Sequence, residues 1–388
     1  MRGGSKLGGE IFNRDPDAIM WHEPLAAYYM STYGLSFANL PQHTLYDRNL
    51  KEVNFSGEEI ESMSSYLTNL LTCQLNKLPP ETWMHKFLFF TEAEAIRSLR
   101  FCLQPKRQHA MVDTCKHLGQ ICGHTVESRI KRCPLVLNLT RHCLREMTDL
   151  PHDRSDEEKA VRRITKELQH QIEGQLSRIN TFHLNAIVKH ELCVEKMRRS
   201  NLHCMEEGIR QCQKVDIHVA KVNRMKIGHV ERLLARNPDL HIIHYVRDPR
   251  AIATSRIDRG LCTDRYNPDL LREVDLICRR IRDDIHDRKL LETRYPNSTY
   301  LLRYEDLVLD PLGCVRSTYK FLDKKYQNAS KWQTFFQEFI YGTKDHLSVR
   351  KNGTESISKW RSNLSIENII SMTELCQDVI HELGYDLV

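Results

Sequence analysis

Arg247 and Ser255 lie eight residues apart, across a point where an apolar run, 240–246 (LHIIHYV), passes directly into a helix-forming one. Asp248 and Pro249 make a natural helix start, so Ser255 falls about two turns along the helix that follows, with Arg256 beside it. An arginine at a strand end and a hydroxyl facing it from the next helix can grip one phosphate-like anion from two sides. The plainer reading of the same residues is a surface helix capped by Asp248. A second anion-holding pattern opens the chain, where Arg2, Gly3, Gly4, Ser5, Lys6 and Leu7 form a glycine-rich loop entering a short helix. Such a loop aims backbone N–H groups at an anion.

The elements that would position these groups follow from periodicity. After the first loop and helix, a strand precedes Glu23. Residues 57–77 and 89–101 have helical spacing, and 155–200 is a charged helical excursion. From 215 onward the pattern is regular: strands at 216–222, 240–246 and 298–304 alternate with helices at 225–236, 268–294, 311–323 and 364–383. This alternation predicts an α/β fold with a parallel sheet flanked by helices, in which ligands sit beyond the carboxyl ends of strands. With no repeat, low-complexity tract or linker, residues 1–388 read as a single domain.

Composition narrows the setting. The formal charge of +6 over 388 residues suits anionic small molecules or acidic glycans without calling for nucleic acid. No stretch approaches the roughly 20 apolar residues of a membrane span. Of thirteen cysteines, Cys102, Cys115, Cys122, Cys133 and Cys143 cluster in one stretch, where disulfides are expected; a zinc site is the rival, but the paired spacing of zinc knuckles is missing. Six Asn-x-Ser/Thr sequons, at Asn54, Asn138, Asn297, Asn328, Asn352 and Asn363, tilt the compartment toward the secretory lumen.

The motifs then become recognisable. VRDPRAIATSR (246–256) resembles the 3′-phosphate-binding segment of sulfotransferases, and RGGSKLGGEIFNRDPDAIMWHEP (2–24) resembles the 5′-phosphosulfate loop, strand and Glu-Pro segment of the Golgi carbohydrate sulfotransferases that act at O6 of galactose, N-acetylgalactosamine or N-acetylglucosamine. RYEDLVLDP (303–311), Cys133-Pro134 and the closing 359–387 resemble later landmarks of that branch. Two departures stand out: Lys6 occupies a position where a serine is typical, and Gly8 replaces a larger apolar residue, which lowers helix propensity in the first turn.

The resemblance implies a P-loop-like central parallel sheet and sulfuryl transfer from 3′-phosphoadenosine 5′-phosphosulfate (PAPS) to a sugar hydroxyl, with 3′,5′-adenosine bisphosphate as product and no metal required. Arg247 and Ser255 would hold the 3′-phosphate, and Arg2 to Leu7 the 5′-phosphosulfate. Arg350 and Lys351 resemble the basic-Gly loop that also touches the 3′-phosphate in cytosolic relatives, although a solvated basic pair explains them too. Glu23 matches the glutamate of the Glu-Pro pair and is expected to be the base that takes the acceptor proton; His22 beside it is the alternative, and a simple ion pair is the plain reading of Glu23. Arg247 reads as a residue that binds donor rather than stabilises the fold. The partner is a glycan or proteoglycan, with insertion 102–200 on the acceptor side. The location is the Golgi lumen as a type II membrane protein, the anchor, stem and first strand being expected upstream of Arg2. Two rivals remain, a non-catalytic glycan-binding relative and a P-loop kinase; the latter needs GxxxxGK[ST], which this sequence lacks.

Overall fold

The computed structural model describes residues 5–33, 45–46, 49–83, 94–103, 134–172, 181–261, 269–325, 329–341 and 354–387. In chain order come α1 (Ser5–Asn13), β1 (Ala18–His22), α2 (Pro24–Tyr33), α3 (Gly57–Leu71), a 3₁₀ turn (Leu75–Lys77), α4 (Pro80–Trp83) and α5 (Glu94–Leu103). A run of helices follows: α6 (Pro134–Arg145), α7 (Arg154–Ile172), α8 (Thr181–Ser200) and α9 (Leu202–Cys212). The regular alternation then begins with β2 (Ile217–Lys221), α10 (Glu231–Arg236), β3 (Ile242–Val246), α11 (Pro249–Ile257), α12 (Leu270–Arg294) and β4 (Thr299–Arg303). The chain closes with α13 (Tyr304–Leu309), α14 (Pro311–Phe321), α15 (Ala329–Tyr341), α16 (Glu355–Asn363), α17 (Ile366–Leu375) and α18 (Gln377–Glu382).

The chain forms two compact units, one comprising 1–15, 46–64 and 223–388, the other 16–45 and 65–222. The α/β character and the parallel pairing expected from the alternation are both present. Among the described residues, however, the strands form two separate pairs rather than one sheet. β1 pairs with β2 in the second unit and β3 with β4 in the first, each in parallel register from Ala18↔Ile217 and Ile242↔Thr299. Each pair completes its ladder within its own unit, across the helical crossover that parallel strands require.

In the first unit, Val246, Ile252, Val274, Ile277, Met372 and Val379 form an apolar core that packs α11, α12, α17 and α18 together below the end of β3. The Cys278–Cys376 bridge stitches α12 to the residue after α17 inside this core. It closes 98 residues of chain, so replacing both cysteines with serine should cost about 2–5 kcal/mol. The expected result is a melting temperature lower by about 5 °C or more in a thermal scan without reductant.

The second unit holds an all-helical core in which Leu144, Val161, Ile164, Leu168, Ile187 and Leu192 join α6, α7 and α8. Within the charged excursion, α7 and α8 thus each bury apolar residues, as helical spacing predicts. Two disulfides, Cys73–Cys212 and Cys102–Cys204, connect distant segments of this unit. Of the cysteine-rich stretch, where disulfides are expected, Cys102 is bridged, with its partner on α9, and Cys143 is a free thiol. Cys115, Cys122 and Cys133 lie outside the described residues. The two cysteine–histidine groupings in this unit, around His218 and His203, have their sulfurs committed to these bridges.

Candidate functional site

β3 ends at Val246, Arg247 follows directly, and α11 begins two residues later at Pro249. Asp248 caps α11 by accepting from the Arg250 amide at 2.9 Å, and Pro249 fills the first helical position, where no N–H is needed. Arg247 and Ser255 are both buried, at 3% and 8% exposure, one on each arm of this strand-to-helix turn. The Arg247 guanidinium lies 4.4 Å over the Tyr304 ring, and its Nη2 donates to the Ser356 carbonyl at 2.8 Å. Tyr304 and Ser356 are themselves joined, hydroxyl to hydroxyl, at 2.5 Å. The Arg247 Nε–H has no hydrogen-bond partner among the described residues. A buried cation with a donor to spare at a strand's carboxyl end fits an anionic ligand.

Arg250, three residues on, does different work. It is fully buried, paired with Asp248, stacked 4.5 Å over Trp360, and donates to Thr373 Oγ1 and to the Asp386 and Leu387 carbonyls. It therefore fastens the chain's last residues to α11. The Glu305 carboxylate accepts from the Asp248 amide and from the Tyr385 hydroxyl, and burial pushes its pKa up. Sequence reasoning passed over Tyr304, Ser356 and Arg250. RYEDLVLDP had marked the region of Tyr304, but nothing local tied it to Arg247.

α1 belongs to the same unit and packs against α13. Gly8 of α1 lies beside Tyr245, two residues before Arg247: a Cβ placed on Gly8 would meet three atoms of that ring at 3.0–3.1 Å. The departure noted at Gly8 is thus a steric fit, which brings the glycine-rich helix start alongside β3. Ala at position 8 gains about 1 kcal/mol of helix propensity but loses about 1–3 kcal/mol by overpacking. Gly8→Ala should therefore lower the melting temperature, and the same change in a Tyr245→Ala background should not; a double-mutant cycle reads this coupling.

Leu7 is buried in the interior, so the backbone amide is what it can offer to an anion at the first turn of α1. Ser5 and Lys6 begin α1. Arg2, Gly3, Gly4, Arg350 and Lys351 lie outside the described residues.

Glu23 sits in the second unit, directly after β1 and before Pro24 opens α2. Its φ of 47° puts a non-glycine residue in the left-handed region, a conformation that costs energy and concentrates at functional sites. Its amide donates to the Lys221 carbonyl at 3.0 Å, continuing the ladder one residue past β1. Its carboxylate lies 3.9 Å from the Lys221 ammonium, with both side chains little exposed. The ion pair anticipated as the plain reading of Glu23 thus exists, with Lys221, the last residue of β2. His22 ends β1.

Residues 132–328 match the model of the sulfotransferase family. The chain belongs to that family. It is 27% identical over 217 residues to carbohydrate sulfotransferase 1 of Rattus norvegicus, an alignment covering 50% of each chain. Against human carbohydrate sulfotransferase 2 the identity is 27% over 220 residues, covering 46% of this chain and 41% of the relative. Against mouse carbohydrate sulfotransferase 5 it is 29% over 171 residues, covering 38% and 42%. The matched segment spans about half the length of these curated relatives. Among solved structures, the sulfotransferase domain from the curacin biosynthetic pathway is 14% identical with a TM-score of 0.35, covering 65% of this chain and 87% of that one. A Mycobacterium avium sulfotransferase is 12% identical with a TM-score of 0.30, covering 86% and 99%.

Proposed function

We propose that this protein transfers a sulfuryl group from PAPS to a sugar hydroxyl of a glycan, the 6-hydroxyl of galactose, N-acetylgalactosamine or N-acetylglucosamine being the acceptor position. The observation that carries the reading is Arg247, a buried cation at the carboxyl end of β3 whose Nε–H has no partner among the described residues, within the segment that matches the sulfotransferase family. Arg247 and Ser255 hold the 3′-phosphate, joined by Arg350 and Lys351. Arg2, Ser5, Lys6 and the amides of the glycine-rich helix start hold the 5′-phosphosulfate and stabilise the charge that develops on the departing phosphate. Glu23 accepts the proton of the attacking hydroxyl as the new sugar O–S bond forms and the S–O bond to the donor phosphate breaks, releasing 3′,5′-adenosine bisphosphate. With residues 102–200 on the acceptor side, the whole chain acts as a single sulfotransferase domain.

We place the protein in the Golgi lumen, held by a type II anchor. The Cys73–Cys212, Cys102–Cys204 and Cys278–Cys376 disulfides and the exposed sequon asparagines Asn54, Asn297 and Asn363 support an oxidising, glycosylating compartment. Among the described residues no helix is long and apolar enough to cross a membrane. The test is incubation with labelled PAPS and a panel of keratan, chondroitin and mucin-type acceptors, followed by mapping of the sulfated position. Donor binding with no transfer to any glycan would favour a non-catalytic relative, and phosphate transfer from ATP a kinase.

A further inference from the structure

Glu305, near the start of α13, is a carboxylate only 4% exposed. A carboxylate taken out of water is costly unless its oxygens accept hydrogen bonds. Here one oxygen accepts from the Asp248 amide at 3.2 Å and the other from the Tyr385 hydroxyl at 2.8 Å. Both bonds pull the Glu305 pKa down against the burial that pushes it up. The Asp248 amide belongs to the peptide that joins Asp248 to Arg247. Glu305 therefore grips the backbone at the base of Arg247, while its neighbour Tyr304 carries the ring against the Arg247 guanidinium.

Residues 384–387 hold this arrangement from the far end of the chain. Gly384, at a φ of 66°, leads the backbone out of α18 in the left-handed conformation that favours glycine. Its carbonyl accepts from Arg303 Nη1 at 3.2 Å, and the Arg303 guanidinium lies 4.4 Å over the Tyr385 ring. Tyr385 is thereby set with its hydroxyl on Glu305. Arg250 supplies a second link: it donates to the Asp386 and Leu387 carbonyls and grips both oxygens of the Asp248 carboxylate, at 3.1 and 2.9 Å. Asp248 is thus tied to 385–387 twice, through its amide and through its carboxylate.

We propose that Tyr385, acting through Glu305, is a positioning residue for donor binding: it fixes the peptide between Arg247 and Asp248, so that the Arg247 guanidinium faces the 3′-phosphate before the nucleotide arrives. A long side chain amplifies any tilt of its own backbone, and a group that must meet a phosphate loses its bond when it is displaced by about 1 Å. The inference rests on the reading of Arg247 as a 3′-phosphate ligand. It adds to that reading a requirement for residues more than a hundred positions further along the chain, none of which needs to touch the nucleotide.

Tyr385→Phe removes the hydroxyl and keeps the ring under Arg303. Its affinity for 3′,5′-adenosine bisphosphate, titrated calorimetrically in the full chain well below the melting temperature, should fall about 10-fold, the low end for a hydrogen bond to a charged group. Glu305→Gln keeps an acceptor for the Asp248 amide and should stay within about 3-fold of the parent, whereas Glu305→Ala should lose at least as much as Tyr385→Phe. Adding Tyr385→Phe to Glu305→Ala should then lower affinity no further. With PAPS, the KM of Tyr385→Phe should rise while kcat at saturating donor is kept. Tyr46→Phe is the structural control: it removes a comparable buried hydroxyl bond, to the Leu276 carbonyl at 2.6 Å, and should keep the affinity. Unchanged affinity in Tyr385→Phe beside a loss in Arg247→Ala would overturn the relay and leave the donor-site reading standing. Unchanged affinity in both, or no binding by the parent, would overturn the reading and the relay with it. Equal losses in Tyr385→Phe and Tyr46→Phe, a further loss on adding Tyr385→Phe to Glu305→Ala, or a fall in kcat at unchanged KM would each overturn the relay.

Discussion

Arg247→Ala is expected to weaken binding of 3′,5′-adenosine bisphosphate by about 100-fold. The guanidinium is buried, 4.4 Å over the Tyr304 ring and bonded to the Ser356 carbonyl, so its Nε–H, without a partner among the described residues, is held in place before a ligand arrives. A charge-assisted hydrogen bond contributes about 1.5–3 kcal/mol, so the loss of one such bond to the phosphate accounts for a change of about this size. Burial also revises the sequence-based view of this arginine as a residue that binds without stabilising. Its removal leaves a void against Tyr304 and frees the start of α16, so the melting temperature should fall as well. Two controls separate the effects. Tyr304→Phe breaks the bond to the Ser356 hydroxyl but keeps the ring beneath Arg247, so it should lower the melting temperature slightly with nucleotide affinity kept. Arg247→Lys keeps the charge and loses the planar fork, so an intermediate affinity is expected. Unchanged nucleotide affinity in Arg247→Ala, measured by calorimetric titration, would remove Arg247 from the donor site.

Glu23→Gln should lower turnover by roughly 100-fold or more while donor affinity stays within a few-fold of the parent. The substitution keeps the length of the side chain and its left-handed backbone but removes the group able to accept a proton. Lys221, 3.9 Å away, is the cationic neighbour of this carboxylate. Glutamine cannot make that pair, so some stability is lost too. Comparing single-turnover rates with the melting temperature separates chemistry from folding. Activity within a few-fold of the parent would shift the role to His22, and His22→Ala measured in parallel would show it.

Much of the frame is legible in local pattern. β2, β3 and β4 fall within a residue or two of the apolar runs that mark them, and α11 begins where Asp248-Pro249 says it should. The position of Arg247 and Ser255 at a strand end follows from the same few residues. These features depend on side-chain period and on capping chemistry confined to about ten residues, so the amino-acid sequence by itself settles them.

The contacts that give those residues their character come from far along the chain. Arg247 is anchored by Ser356, 109 residues away, and Glu23 meets Lys221 only because β1 and β2 pair in parallel register. Gly8 looks like a weakness in α1 until Tyr245 is seen to occupy the space where its side chain would stand. The cysteines were countable, but their partners lie 139, 102 and 98 residues off. Local sequence sets what each segment prefers, whereas these pairings depend on how apolar faces bury against one another over a hundred residues of separation. That burial is a property of the folded chain as a whole, so it decides which of the charges placed by sequence are paired, buried or left open.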